Sequence, residues 1–141
     1  MPAVPEVLLA TDADWIHEEV AAALDDDHAV VRVRRGADVR TAVAEREFDL
    51  VILDLQIGNM GGMAACLDLR LEAGAGRLPD VPVLMLLDRD ADVFLARRSE
   101  ADGWLIKPLD AFRLRRAVTA VLAGGTFTEG VAPGTPAPQP T

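Results

Sequence analysis

The fold is decided by the stretch Phe48-Asp49-Leu50-Val51-Ile52-Leu53-Asp54-Leu55-Gln56, in which a run of four apolar residues ends at an acid. A short, uninterrupted run of Leu, Val and Ile predicts a strand that is buried on both faces of a sheet. Outward from it the chain holds four similar runs, of which residues 29–33 are more exposed because Arg32 interrupts them. These runs are Val7-Leu8-Leu9-Ala10, Ala29-Val30-Val31-Arg32-Val33, Val83-Leu84-Met85-Leu86-Leu87 and Trp104-Leu105-Ile106.

Apolar residues at helical spacing follow each of these strands. The patterns are carried by Ile16, Val20 and Leu24, by Val39 and Val43, by Met63, Cys66 and Leu71, by Val93 and Phe94, and by Leu114, Val118 and Val121. Five strand–helix units predict one α/β domain with a doubly wound, five-stranded parallel sheet. We assign residues 1–123 to this domain. Residues 124–141, rich in Gly, Pro and Thr with Glu129 as their one charge, are predicted to be a disordered tail.

The composition argues against several classes of partner. The 141-residue chain has a formal net charge of −9, whereas nucleic-acid binding needs Lys and Arg to neutralise phosphates, so no direct nucleic-acid partner is predicted. No apolar run approaches the roughly 18 residues of a membrane span, and the N-terminus lacks a signal-peptide pattern. The one cysteine, Cys66, cannot form an internal disulfide. We therefore predict a cytoplasmic protein without a membrane association.

Charged and polar residues stand at the ends of three of the predicted strands. Thr11 and Asp12 follow the first strand, Asp54 ends the third, and Lys107 follows the fifth. The carboxyl ends of parallel strands meet at one edge, so these side chains are expected to lie together. Two neighbouring carboxylates suit Mg²⁺, and a lysine beside them stabilises a transferred phosphoryl group.

The sequence resembles the receiver domain of two-component response regulators over about residues 5–122. The third strand with its acid, the loop after it, the fourth strand and the Lys-Pro ending of the fifth occur in the family's order. The segments are residues 48–56, Ile57-Gly58-Asn59-Met60-Gly61-Gly62, Val81-Pro82-Val83-Leu84-Met85-Leu86 and Ala101-Asp102-Gly103-Trp104-Leu105-Ile106-Lys107-Pro108-Leu109. The resemblance implies a flavodoxin-like receiver fold with strand order 2-1-3-4-5.

The resemblance also implies roles for individual residues. Asp54 corresponds to the phosphoacceptor, and Asp12 and Asp54 correspond to direct ligands of Mg²⁺. Gln56 corresponds to the residue that offers its backbone carbonyl to the metal. Lys107 corresponds to the lysine that contacts the phosphoryl group.

Several positions depart from the family pattern. Thr11 stands where a second acid is usual, which is expected to reduce the affinity for Mg²⁺. Leu87, followed by Asp88, stands at a switch position where a Thr or Ser hydroxyl is usual, and leucine has no donor. Trp104 occupies the position of the switch aromatic. Gly58 replaces a proline in the loop after the phosphoacceptor.

These observations leave two main functional hypotheses. In the first, the chain is a stand-alone receiver, not an enzyme, that accepts a phosphoryl group at Asp54 from a histidine kinase or phosphotransfer protein. It then signals to a downstream protein, and a homodimer through the face of helix 4, strand 5 and helix 5 is one arrangement that the resemblance allows. In the second, it is a pseudo-receiver that binds partners without phosphorylation, which Thr11, Leu87 and Asp88 favour.

Two further classes fit the sequence less well. A Mg²⁺-dependent phosphohydrolase usually carries its nucleophile after the first strand with a second Asp two residues on, where this chain has Gln56. A flavin carrier of the same architecture needs a Ser/Thr-rich phosphate loop after the first strand. The segment Thr11-Asp12-Ala13-Asp14 is too acidic for that role.

Overall fold

The five apolar runs form one parallel sheet in the computed structural model, which describes residues 4–130. The sheet has the order β2-β1-β3-β4-β5, so the predicted strand order is confirmed. All four strand pairs are parallel. The strands are β1 (Glu6–Ala10), β2 (Ala29–Val33), β3 (Leu50–Asp54), β4 (Val83–Leu87) and β5 (Gly103–Ile106).

Helices cover both faces of the sheet, as continuous apolar strands require. A 3₁₀ turn (Asp90–Asp92) precedes the fourth helix, and the Asp110 carboxylate caps the fifth by accepting a 2.8 Å hydrogen bond from the Arg113 amide. The helices are α1 (Asp14–Leu24), α2 (Asp38–Glu45), α3 (Gly62–Gly74), α4 (Val93–Arg98) and α5 (Ala111–Leu122).

Alternate residues of the strands feed two separate apolar cores. Leu9, Ile52 and Leu86 point to one face, where they pack against α1 and α5. Leu8 and Leu53 point to the other face, which α2, α3 and α4 cover. Every residue of β3 and β4 is buried, whereas β2 is half-buried at the edge of the sheet. Asp54 therefore ends one of the two strands that are buried along their whole length.

The C-terminal segment differs from its prediction. Residues 124–130 do not behave as a structureless tail, because Phe127 forms a bridge with Gly103 at the outer edge of β5. The Trp104 amide donates a 2.8 Å hydrogen bond to the Phe127 carbonyl. Residues 131–141, for which disorder is also predicted, lie outside the described residues, as do residues 1–3. The described chain thus continues past α5 along the edge of the sheet.

Within residues 4–130, each helix is too short or too polar to cross a lipid bilayer.

Candidate functional site

The carboxyl ends of β1, β3 and β5 bring the predicted site residues to one rim of the sheet. Asp54 is the last residue of β3, and Lys107 follows β5 directly. The Lys107 Nζ lies 2.7 Å from Oδ1 of Asp54, although the two residues are 53 positions apart in the chain. β1 and β3 pair at the point where the strand order reverses, which is where ligands bind in sheets of this type.

The Asp54 carboxylate is buried and fully hydrogen-bonded. Its Oδ1 accepts hydrogen bonds from Lys107 Nζ and, at 3.1 Å, from the Gln56 amide. Its Oδ2 accepts a 2.8 Å hydrogen bond from the Thr11 hydroxyl. The side chain is only 2% exposed, so these donors replace the water that the charged group loses. One positive charge and two neutral donors therefore surround the Asp54 side chain.

Lys107 serves a second acid as well as Asp54. Its Nζ lies 3.1 Å from Oδ1 of Asp88, the residue that follows β4. The other carboxylate oxygen of Asp88 is buried and accepts no hydrogen bond from the described residues. One ammonium group is therefore shared between two carboxylates, and its attraction for Asp54 is divided. The acid noted in the sequence beside Leu87 lies within the site.

Asp12 lies on the exposed side of the same rim. Its Oδ2 accepts a 3.0 Å hydrogen bond from the Gly58 amide in the loop between β3 and α3. Gln56 contributes its amide to Asp54, whereas the metal-binding role implied for its carbonyl stays a prediction. No cluster of three or more His, Cys, Asp or Glu side chains suited to a metal occurs among residues 4–130.

The oxygen atoms of Asp12, Asp54 and Gln56 nevertheless match the ligands that Mg²⁺ prefers. This ion is commonly held by one or two carboxylates and keeps several waters of its own. Asp12 and Asp54 supply two carboxylates, and Gln56 has a backbone carbonyl in the loop that follows β3. The donor set therefore fits Mg²⁺ in kind, with one acid fewer than the family pattern because position 11 is Thr.

The two atypical switch positions are buried together. Leu87 and Trp104 belong to the apolar cluster on the face that α2, α3 and α4 cover, and Trp104 is 6% exposed. The indole Nε1 of Trp104 donates a 2.9 Å hydrogen bond to the Glu129 carbonyl, and the Arg97 guanidinium lies 5.9 Å from the ring centroid. Sequence reasoning missed this contact with Glu129. The one signal of this contact in the sequence was Glu129 itself, an isolated charge in the otherwise uncharged residues 124–141.

The fold and the site together define the class of flavodoxin-like receivers, which carry an acid and a lysine at the rim of a 2-1-3-4-5 sheet. The family model described as the response regulator receiver domain matches residues 7–119. The chain belongs to this family, so it is a receiver domain of two-component signalling. The family predicted from the sequence is confirmed.

Similar proteins differ in length from one another. The transcriptional regulatory protein AfsQ1 of Streptomyces coelicolor is 29% identical over 125 residues, which cover 86% of this chain and 53% of AfsQ1. Protein PilH of Pseudomonas aeruginosa is 26% identical over 119 residues, which cover 84% of this chain and 98% of PilH. The chain thus spans about half the length of the first relative and nearly all of the second.

Solved structures share the fold. The chemotaxis response regulator CheY4 of Vibrio cholerae superposes with a TM-score of 0.74 at 23% identity, covering 84% of this chain and 99% of CheY4. The receiver domain of the sensor histidine kinase PA1611 of Pseudomonas aeruginosa has a TM-score of 0.75 at 20% identity. That match covers 86% of this chain and 99% of the PA1611 domain, whose structure holds a magnesium ion in its active-site cleft.

Proposed function

We propose that this chain is a receiver domain, and not an enzyme, that accepts a phosphoryl group at Asp54 from a histidine kinase or a phosphotransfer protein. The phosphorylated domain then signals through contacts with a downstream protein. The observation that carries the proposal is the 2.7 Å contact between Lys107 Nζ and Asp54 Oδ1 at the carboxyl end of the sheet.

The proposed step moves one phosphoryl group between two proteins. A carboxylate oxygen of Asp54 attacks the phosphorus of a phosphohistidine, a P–O bond forms, and the P–N bond breaks. The imidazole nitrogen of the donor leaves and takes a proton from solvent. Because the phosphoryl oxygens carry negative charge, the Lys107 ammonium beside Asp54 stabilises the transfer electrostatically.

Asp12, Asp54 and the Gln56 carbonyl are the groups that would hold Mg²⁺. A bound Mg²⁺ supplies positive charge against the phosphoryl oxygens. Because Thr11 provides a hydroxyl in place of a second acid, the affinity of this site for Mg²⁺ is proposed to be lower than in receivers with two acids at the end of β1.

A pseudo-receiver is the competing function, and two contacts favour it. Thr11 already donates to Asp54, and Asp88 already pairs with Lys107. In addition, buried Leu87 offers no hydroxyl for a phosphoryl oxygen. In this alternative the site is a closed internal network, and the domain binds its partners in one constant state.

A small phosphodonor separates the two functions. The full chain is incubated with acetyl phosphate and Mg²⁺, and its intact mass is followed with time. Phosphorylation predicts the gain of one phosphoryl group that is lost in Asp54→Asn and greatly slowed in Lys107→Ala. The matched control is Asp49→Asn, which neutralises an exposed acid five residues earlier and is expected to react as the wild type does. A wild-type chain that gains no mass supports the pseudo-receiver instead.

A further inference from the structure

The outer edge of β5 is occupied by residues 126–130 of the same chain, here called the strap. Phe127 and Glu129 of the strap are half-buried, whereas Thr126, Thr128 and Gly130 are exposed. This alternation is that of an edge strand with one face on the domain. Without the strap, the Trp104 and Ile106 amides would be unpaired donors at a sheet edge, which is a ready template for another chain.

Glu129 provides most of the strap's polar contacts. Its carboxylate accepts hydrogen bonds from the Ile106 amide at 2.9 Å and from Arg113 Nε at 2.7 Å, and it forms an ion pair with the Arg113 guanidinium. Its backbone carbonyl accepts the hydrogen bond from Trp104 Nε1. One residue thus binds the edge of β5, an arginine of α5 and the indole of the switch position.

The receiving edge is shaped for an extended backbone. A Cβ atom added at Gly103 would lie 2.7 Å from the Phe127 carbonyl oxygen, so the close approach of the strap requires glycine there. Arg113 also donates a 3.0 Å hydrogen bond to the Ile106 carbonyl, which fixes the guanidinium beside the edge. Arg97 and Arg116, both exposed, add positive charge nearby. Their guanidinium groups lie 5.9 Å from the Trp104 ring centroid and 5.8 Å from the Phe127 ring centroid, respectively.

We propose that the strap is an internal occupant of a docking surface, and that the same β5 edge binds an extended segment of a partner protein. The partner segment would pair with the Trp104 amide and present a carboxylate to Arg113 and the Ile106 amide, as Glu129 does. The strap and the partner segment compete, so the strap keeps this edge closed in the resting domain. This proposal does not depend on phosphorylation of Asp54.

The competition has a physical consequence. A tethered segment acts at an effective concentration in the millimolar range, so a free segment of similar affinity displaces it poorly. The apparent affinity of the partner therefore rises by the factor by which the strap is weakened. Removing the carboxylate of Glu129 weakens the strap without changing the side chain's shape.

The test uses a peptide that copies the strap. The probe is the synthetic peptide of residues 125–130, blocked at both ends, added to the full chain in a Trp15→Phe background so that Trp104 alone fluoresces. The Glu129→Gln chain is expected to bind the peptide at least about tenfold more tightly than the chain with Glu129 intact. It is also expected to make Trp104 more accessible to acrylamide. A peptide with Gln in place of the Glu is expected to bind about tenfold more weakly.

Two controls keep the result decisive. Thr128→Ala alters an exposed side chain of the same strap and is expected to leave binding and quenching unchanged. Phe127→Ala weakens the strap by a different contact and is expected to behave as Glu129→Gln does, which guards against a fold defect in one variant. The proposal is overturned if Glu129→Gln and Phe127→Ala bind the peptide with the same affinity as the wild type, or if none of the chains binds it. Dimerisation of Glu129→Gln without peptide binding also overturns it, because the edge would then serve a second copy.

Discussion

The Thr11 hydroxyl donates a 2.8 Å hydrogen bond to Oδ2 of Asp54, and both side chains are buried. Thr11 Oγ1 in turn accepts a 3.1 Å hydrogen bond from the Ala13 amide at the start of α1. The hydroxyl proton is therefore committed to the carboxylate. Where the receiver pattern usually has an acid that repels Asp54, this chain has a neutral donor that stabilises it.

Replacing Thr11 with valine is expected to destabilise the domain. Valine has nearly the same shape but cannot donate, so Oδ2 of buried Asp54 loses its hydrogen bond. We expect the free energy of unfolding to fall by about 1–3 kcal/mol, the usual effect of leaving a buried charged group short of a donor. Urea denaturation at neutral pH measures it. Thr41→Val, on the exposed side of α2, is the matched control and should change little. Equal losses in the two variants would contradict this role of Thr11.

Replacing Asp88 with asparagine is expected to speed phosphorylation of Asp54. The variant keeps the size of the side chain but removes the charge that competes for Lys107 and repels an incoming phosphoryl group. We expect the rate with acetyl phosphate and Mg²⁺ to rise by about tenfold, which corresponds to ~1.4 kcal/mol. Intact-mass time courses measure this rate. Asp90→Asn makes the same charge change two residues later, and an equal increase there would show only a general charge effect.

The contact of Asp54 with Lys107 was predictable because it follows from topology. Asp54 ends β3 and Lys107 follows β5 of one parallel sheet, and parallel strands bring their carboxyl ends to one rim whatever their separation in the chain. The bond from Thr11 was not predictable, since it depends on a rotamer and on the Ala13 amide that orients the hydroxyl.

The strap could not be foreseen for a different reason. Gly, Pro and Thr give residues 124–141 the composition of a disordered segment, and no local pattern indicates a pairing partner. Its order comes from contacts of Glu129 with Arg113 and Ile106, which are 16 and 23 residues away. Contacts of that kind are specified by the folded domain and leave no periodic signal in the sequence.

Cys66 is expected to resist thiol reagents in the folded domain. Burial raises the pKa of its thiol to about 11, and Sγ donates to the Ser99 carbonyl. At about pH 8 the reactive thiolate is then scarce as well as inaccessible, so labelling should be about a hundredfold or more slower than in the unfolded chain. Reaction with a chromogenic disulfide measures it. Leu71→Cys in a Cys66→Ala background, exposed on the same helix, should react fast. Rapid labelling of native Cys66 would contradict the burial.

The contribution of Glu129 to stability is expected to depend on pH. Burial by itself raises the pKa of its carboxyl, but hydrogen bonds from Arg113 and from the Ile106 amide outweigh burial, and the pKa is lowered. A carboxyl with a lowered folded pKa stabilises the fold above its unfolded pKa of about 4.3 and loses that effect as pH falls through the folded value. The difference in unfolding free energy between wild type and Glu129→Gln should therefore be constant near neutral pH and shrink in acid. A difference that grows in acid would contradict the assignment.

Gly62, the first residue of α3, is expected to be essential to the geometry of the site. A Cβ atom there would lie 2.6 Å from the Asp54 carbonyl oxygen and 2.8 Å from the Leu55 Cα. Both are backbone atoms at the carboxyl end of β3, so neither can move aside as a flexible side chain would. Gly62→Ala should therefore cost about 1–3 kcal/mol of unfolding free energy, as overpacking does.

Gly74, at the other end of α3, provides the matched control for Gly62. A Cβ atom at Gly74 would meet nothing within 4 Å among the described residues. Gly74→Ala is therefore expected to leave stability unchanged or raise it by up to about 1 kcal/mol, because alanine favours the helix. The unfolding free energy is measured by urea denaturation, and the rate of phosphorylation of Asp54 is measured beside it. Changes of opposite sign in the two variants would separate the effect of close packing against β3 from the effect of helix propensity. If both substitutions lower the unfolding free energy, α3 tolerates no added side chain at either end. The loss at Gly62 would then not be caused by a Cβ atom packed against the Asp54 backbone.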